Sequence, residues 1–280
     1  MADEPLIVAE DGLHTPPIGE HSLKKIRVHN RYARIFTTAM RDKWEMAYVG
    51  LYSGAGRAKV KSTGQIVETS ALGALRQPHP FSKYIFVDKK AECTGALARR
   101  WPLVNPIANV EIIQRDVNAS VGLLRERLPL TKRLLTFCFV DPFDIKLHFE
   151  TIRKLSDLRI DFLILLMLGN DVRRNFEPYY RPSSTTIADF IGCPDWRREY
   201  RENGDPLRFV WTKFDSAMQG LGYPSTLNTT YQVNVTGMGV LLYLLAFYSK
   251  DDAGLKLWER TRSSVDKYNS QTSLPFPSEF

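Results

Sequence analysis

Cysteine is scarce in this chain, with Cys93, Cys138 and Cys193 the only three among 280 residues. An odd number at wide spacing gives neither a disulfide framework nor a zinc-ligand pattern. None of the five histidines, His14, His21, His29, His79 and His148, has a histidine at i+4 or a neighbouring cysteine, so no metal site is indicated. Long hydrophobic runs are also missing. The longest, around Phe162 to Gly169 and Gly239 to Phe247, suit buried strands and are too short to span a membrane. The opening MADEPLIVAED is acidic and lacks a secretory-signal pattern. There is no phosphate loop ending in Gly-Lys-Ser/Thr and no Gly-x-Ser-x-Gly elbow. These absences point to a reduced, cytoplasmic protein with no metal and no membrane partner.

What is present suits a large globular unit. Hydrophobic content of 44% and charged content of 25% are ordinary, and the length allows one large domain or a domain with an insertion. The formal charge of +7 favours a polyanionic partner such as nucleic acid. Basic residues cluster from Lys24 and Lys25 to Arg34, and again at Arg173-Arg174 and Arg197-Arg198. The first cluster reads as an amphipathic helix, with Ile26, Tyr32, Ala33 and Phe36 inward and Lys24, Arg27, Arg31 and Arg34 outward. Its outer face is either simply solvated or a phosphate-contacting surface.

The most informative stretch is Met46 to Arg57, MAYVGLYSGAGR, an apolar run that ends in the small-residue turn Ser53-Gly54-Ala55-Gly56. Such a turn lets backbone come close to a ligand, as in Rossmann-like nucleotide loops, although the third glycine of that fingerprint is absent. Three later apolar segments end in an acid: Tyr84 to Asp88, Val110 to Asp116 and Phe137 to Asp141. Helical patterns over 89–101, 118–128 and 149–158 separate the strands, so the alternation predicts a parallel sheet with the acids and the glycine loop at its carboxyl edge. Residues 1–20 read as a flexible arm and 21–268 as the domain. Within the domain, a proline-, aromatic- and base-rich insertion, largely helical, covers about 170–225. Thr229 to Val235 and Val240 to Tyr248 read as an edge hairpin about Gly237-Met238-Gly239, Leu255 to Tyr268 as a last helix, and 269–280 as a tail.

In this order, KKIRVHNRYARIF, AYVGLYSGAGR, KYIFVDKK, FCFVDPFDIKLHFETI, FLILLMLGNDVRRNF and GVLLYLLAFYSKDDAGLKLWERT resemble the three-Cys-motif partner proteins, a bacterial group with an S-adenosylmethionine-dependent methyltransferase-like fold. The resemblance covers about residues 21–265 and is most specific at the DPF segment. It implies an α/β, Rossmann-like methyltransferase fold with a mostly parallel sheet. It further implies that Tyr52, Ser53, Gly54 and Gly56 line the methionine part of S-adenosylmethionine, that Asp88 accepts from the ribose, and that Asp116 and Val117 meet the adenine. Asp141, Pro142 and Phe143 would sit where the methyl is transferred, with Asp141 and the carbonyl before proline positioning the acceptor and Phe143 stacking on it. Asn170, Asp171, Arg173 and Arg174, with Lys24 and Lys25, form the expected substrate side.

Two departures stand out. Gly50 occupies a position where the family tends to carry Asp, and Asp144 replaces the family's usual glycine after DPF. The leading expectation is a methyltransferase acting on nucleic acid or another polyanion. Its rival is a catalytically degenerate binding module of the same fold, serving a three-Cys-motif partner protein in a defence or mobile-element system. A metal-dependent nuclease using Asp116 and Asp141 is a third class. Gln271 to Phe276, QTSLPF, matches short peptides that dock sliding clamps, with Gln271, Leu274 and Phe276 as anchors.

Overall fold

The computed structural model describes residues 3–130, 133–200, 204–234 and 240–272. In chain order its elements are β1 (Ile7–Val8), β2 (Pro17–Ile18), α1 (His21–Met40), β3 (Glu45–Leu51), β4 (Arg57–Val60), β5 (Ile66–Glu68), α2 (Ser70–Leu75), β6 (Lys83–Asp88), α3 (Ala91–Val104), β7 (Val110–Gln114), α4 (Val121–Arg127), β8 (Leu134–Val140), α5 (Phe149–Leu155) and β9 (Ile160–Leu166). A π-helical turn (Leu168–Val172) follows, then α6 (Arg173–Tyr180), α7 (Thr186–Ile191), α8 (Trp196–Glu199), α9 (Pro206–Gly220), β10 (Tyr231–Asn234), β11 (Leu241–Tyr248) and α10 (Asp252–Thr272).

Seven strands form the main sheet in the order β10-β11-β9-β8-β3-β6-β7. The five strands from β9 to β7 are parallel, while β11 runs antiparallel to β9 and β10 antiparallel to β11. The central strands are largely apolar because helices cover both faces of the sheet. β9, Ile-Asp-Phe-Leu-Ile-Leu-Leu, is buried at every position. The chain starts at the centre with β3, moves outward through β6 to β7, then returns to lay β8 on the other side of β3. The strand order therefore reverses between β3 and β8, and in open α/β sheets ligands bind beyond the carboxyl ends at such a point.

The expected alternation of strands and helices, the parallel sheet and the antiparallel edge pair are all present. The hairpin turn about Gly237-Met238-Gly239 lies outside the described residues, as does most of the clamp-like segment, from Ser273 onward. The last helix begins earlier and runs further than its expected limits, from Asp252 to Thr272, so the first residues of the expected tail are helical. The stretch 170–225 is largely helical. Pro206 stands in the first turn of α9, where its missing N–H costs nothing, and Asp205 caps that helix by accepting from Leu207 N at 2.9 Å.

The beginning of the chain corrects two expectations. Residues 3–20 are no loose arm. β1 and β2 add to a hairpin formed by β4 and β5, making a second, four-stranded sheet in the order β1-β5-β4-β2. The basic outer face of α1 is largely paired, too. Arg27 meets Glu4 at 2.5 Å, while Arg31 and Arg34 both reach Asp3 at 3.3 Å. The acidic start of the chain thus lies along the arginines that had offered themselves to phosphate. The inner face of α1 is as expected, with Ile26, Tyr32, Ala33 and Phe36 buried, the last three within the main core. Among the described residues no helix is long and apolar enough to cross a membrane.

Candidate functional site

The carboxyl end of β3 is the first wall of the site. Tyr52, Gly54 and Gly56 all have positive φ, at 61°, 65° and 80°. A tyrosine in this region is strained by roughly 1 kcal/mol or more, which neighbours must offset. A Cβ added at Gly54 would meet nothing within 4 Å, so the space in front of it is open. At Gly56 an added Cβ would come within 2.9 Å of Leu97 Cδ1, so that residue fixes close packing behind the loop. Ser53 is buried, yet among the described residues its Oγ has no hydrogen-bond partner. A buried hydroxyl without a partner costs free energy unless a ligand or water satisfies it.

Asp88, at the end of β6, closes over this loop. Its Oδ2 accepts from Gly54 N and its Oδ1 from Lys90 N, both at 2.9 Å. The carboxylate is buried, and each oxygen keeps a lone pair beyond these bonds. Asp116 is exposed and folds back to accept from Asn118 N at 2.9 Å, while the Val117 side chain is core. Burial, aided by the facing charges of Asp116, Asp144 and Asp88, keeps the Tyr52 phenol protonated far above its ordinary range.

The end of β8 is the second wall. Asp141 N donates to Leu51 O at 3.2 Å, which stitches β8 to β3 at the reversal point. The Asp141 carboxylate pairs with Lys25 Nζ from α1 at 2.6 Å, both side chains mostly covered. α1 is itself pinned there, because Tyr243 Oη donates to His21 O at 2.7 Å. Pro142 is buried, but Phe143 is 68% exposed, with Lys90 Nζ 5.7 Å from its ring centre. An exposed phenylalanine beside a lysine gives a flat stacking face next to a cation.

The substrate-side expectations divide. Arg173 and Arg174 are exposed at the carboxyl edge, and Asn170 is half-buried. Asp171 is not free for a substrate. It is buried and accepts from Ile145 N at 2.8 Å, Asn175 Nδ2 at 2.6 Å and Tyr179 Oη at 2.9 Å. It fastens the helical insertion to the loop after β8. The π-helical turn that carries it lies against β11, where a Cβ on Gly169 would fall 1.8 Å from Leu241 O, so no larger residue fits. The aromatic residues of the insertion do not line an open surface either. Phe176, Tyr180, Trp196, Tyr200 and Phe209 pack on one another. Lys24 is half-buried on the first turn of α1.

Sequence reading missed three structural residues here. Asn118 Oδ1 accepts from His148 N and Thr151 Oγ1, and its Nδ2 donates to Lys146 O, each at 2.9 Å, tying the loops after β7 and β8. His29 is fully buried, with Nδ1 bonded to Asn30 Oδ1 at 3.0 Å and Nε2 to Tyr48 Oη at 2.8 Å. Because Asn30 Oδ1 only accepts, Nδ1 carries the proton and Nε2 accepts from the tyrosine. Burial lowers the His29 pKa to about 4, so the ring is neutral. The third, Arg100, has no side-chain exposure and reaches the glycine loop from behind. Only tertiary contacts reveal these roles. Gly50 also acquires a packing reason, since an added Cβ would lie 3.1 Å from Phe86 Cδ1 and 3.3 Å from Tyr48 Cε1.

No protein-family model matches the chain, and no curated protein does. Solved structures do. Protein LPL1258 from Legionella pneumophila is similar over 88% of this chain and 92% of its own, with a TM-score of 0.50 at 11% identity. That likeness concerns the fold, which is α/β and Rossmann-like. Also similar are an S-adenosylmethionine-dependent methyltransferase from Listeria monocytogenes, described as putative, and TYW2 from M. jannaschii, crystallised with AdoMet. The Listeria protein has a TM-score of 0.44 at 11% identity, covering 81% of this chain and 99% of its own. For TYW2 the TM-score is 0.40 at 11% identity, covering 89% and 87%.

Proposed function

We propose that the protein is an S-adenosylmethionine-dependent methyltransferase acting on nucleic acid or another polyanion. The observation that carries the reading is the juxtaposition, at one reversal point of the sheet, of an open glycine loop, the buried Asp88 and the strand-ending Asp141-Pro142-Phe143. The donor set fits the cofactor. Among the described residues Ser53 Oγ has no partner, the space before Gly54 is open, and Asp88 retains lone pairs for ribose hydroxyls. Asp116 and Val117 stand at the adenine end, and Tyr52 beside the methionine end. When bound, S-adenosylmethionine supplies a sulfonium-activated methyl group.

The protein's own task is then to orient an acceptor and exclude water. Asp141 offers a carboxylate oxygen to the acceptor's N–H or O–H, and Lys25 holds the other oxygen in place. Phe143 gives a planar acceptor a face to stack on. Exposed Lys89, Lys90, Arg115, Lys146, Arg173 and Arg174 lie on the loops and helix start at the same edge and suit a phosphate backbone. The ordered stretches quoted above make the three-Cys-motif partner proteins the proposed family, and a cysteine-motif protein the proposed partner.

Calorimetric titration of S-adenosylmethionine tests the reading, with Asp88→Ala as control. Binding by the wild type that is lost in Asp88→Ala is expected; no binding by the wild type overturns it. Asp141→Ala is expected to keep cofactor affinity and lose methyl transfer to pooled RNA or DNA by at least about 100-fold, the scale of a lost positioning contact. One observation favours a second reading. A side chain at Gly50 would press on the rings of Phe86 and Tyr48, and the absence of an acid at this position of β3 suits a catalytically silent binding module. Cofactor binding without transfer to any nucleic acid, and without loss of partner binding in Asp141→Ala, is the outcome that selects it.

A further inference from the structure

The glycine loop is held from both sides. In front, Asp88 accepts from Gly54 N. Behind, Arg100 of α3 donates through Nη1 to Ala55 O at 2.7 Å. The remaining bonds of that guanidinium go to the beginning of the chain. Nε and Nη2 meet the two oxygens of Asp11 at 2.8 and 2.7 Å, Nη1 meets His14 O at 2.9 Å, and Nη2 meets Thr15 Oγ1 at 2.9 Å and Leu13 O at 3.4 Å. Arg57, on the far side of the loop, donates to the same Asp11 at 2.8 Å and to Ala9 O at 3.2 Å. Leu13 packs against Ala55, Cys93 and Ala96.

We propose that Arg100 and Asp11 are positioning residues for the cofactor loop, so that residues 9–15 set cofactor affinity without touching the cofactor. This inference rests on the methyltransferase reading given above. Its physical basis is that a loop with positive φ at residues 52, 54 and 56 does not hold its shape alone. Arg100 fixes the loop's middle carbonyl, and a guanidinium with no exposure stays in place only while Asp11 balances it. The bidentate geometry also fixes direction, which a lone lysine charge would not. The bond to Arg100 also holds the Asp11 carboxyl well below the usual carboxylate range.

The experiment titrates S-adenosylhomocysteine into the full chain by calorimetry, well below each variant's melting temperature. Amide chemical shifts of Gly54 and Gly56 are followed alongside. Asp11→Asn is expected to weaken binding tenfold or more and to move both glycine amides, while Asp11→Glu recovers most of the affinity. Thr15→Val removes one Arg100 bond and the Thr15 Oγ1 bond to Leu13 O without unpairing a charge, and is expected to weaken binding two- to fivefold. It gives the decisive comparison if Asp11→Asn does not fold. Wild-type affinity and unmoved glycine amides in the folded variants overturn the proposal while the cofactor reading stands. Failure of the wild type itself to bind overturns both, and only that outcome reaches the methyltransferase reading.

Discussion

Single residues explain most of the site. The strand-ending acids Asp88, Asp116 and Asp141 were legible in the sequence because an acid that closes an apolar strand has few places to go except the carboxyl edge. Their partners were not. Nothing local joins Lys25 to Asp141, or Asp171 to Ile145, across so many intervening residues. Asp171 shows the cost of that blindness, since a residue expected to face substrate is a buried clamp. Gly56 gives a sharp test at this scale. Gly56→Ala must place a Cβ at φ 80° and within 2.9 Å of Leu97. It is expected to cost about 1–3 kcal/mol in denaturant unfolding and to weaken S-adenosylmethionine binding. An unchanged midpoint and affinity would show that the loop relaxes freely.

At the scale of elements, the seven-stranded sheet was legible through its apolar runs and their spacing, whereas the β4–β5 hairpin and the strands it recruits were not. β1 and β2 have two residues each, too few for a period to show. The junction of α1 with β9 carries a pH signature. Asp161 on β9 is buried, accepts from Tyr32 Oη on α1 at 3.3 Å and faces Ser249 and Asp251 after β11. Burial raises its pKa from 3.8 to about 7. The folded state therefore holds a proton that the unfolded chain has released, and this group's contribution to stability falls as pH rises from about 4 to 7. His29 acts the other way, because its lowered pKa removes stability as pH falls below 6.5. The difference between Asp161→Asn and wild type isolates the first effect. The variant is expected to be more stable by roughly 1–3 kcal/mol at pH 8, with the advantage gone near pH 4. Equal stabilities at pH 8 would show that Asp161 ionises without penalty.

For the whole molecule, the first twenty residues change the picture most. Composition suggested a loose, acidic leader; position makes it the counter-charge to α1 and to Arg100. Removing residues 1–16 would strip Asp3, Glu4 and Asp11 together with Leu13 and Thr15, taking away the ion pairs and opening one side of Arg100 to water. The expected loss is about 1–3 kcal/mol of unfolding free energy, the common range for losing a bonded network. A truncated chain that melts with the wild type would show that water or another carboxylate replaces Asp11. The overall charge takes on meaning at this scale as well. With the arginines of α1 paired locally, the exposed lysines and arginines lie around the carboxyl edge, and the proposed attraction of a polyanion to them would weaken with salt.

The docking of α1 against α10 has a consequence for synthesis. Tyr32 lies on Phe247 and Trp258, and Arg31 Nε donates to Ser264 Oγ at 3.0 Å. The ribosome makes α1 long before α10, with the whole parallel sheet translated between them. At about 5–20 residues per second, Tyr32 waits roughly 10 seconds or more before Trp258 can reach it. Until β11 and α10 have been made, Tyr32 has Phe137 beside it but lacks the rings of Phe247 and Trp258, so that corner of the helix is sealed last.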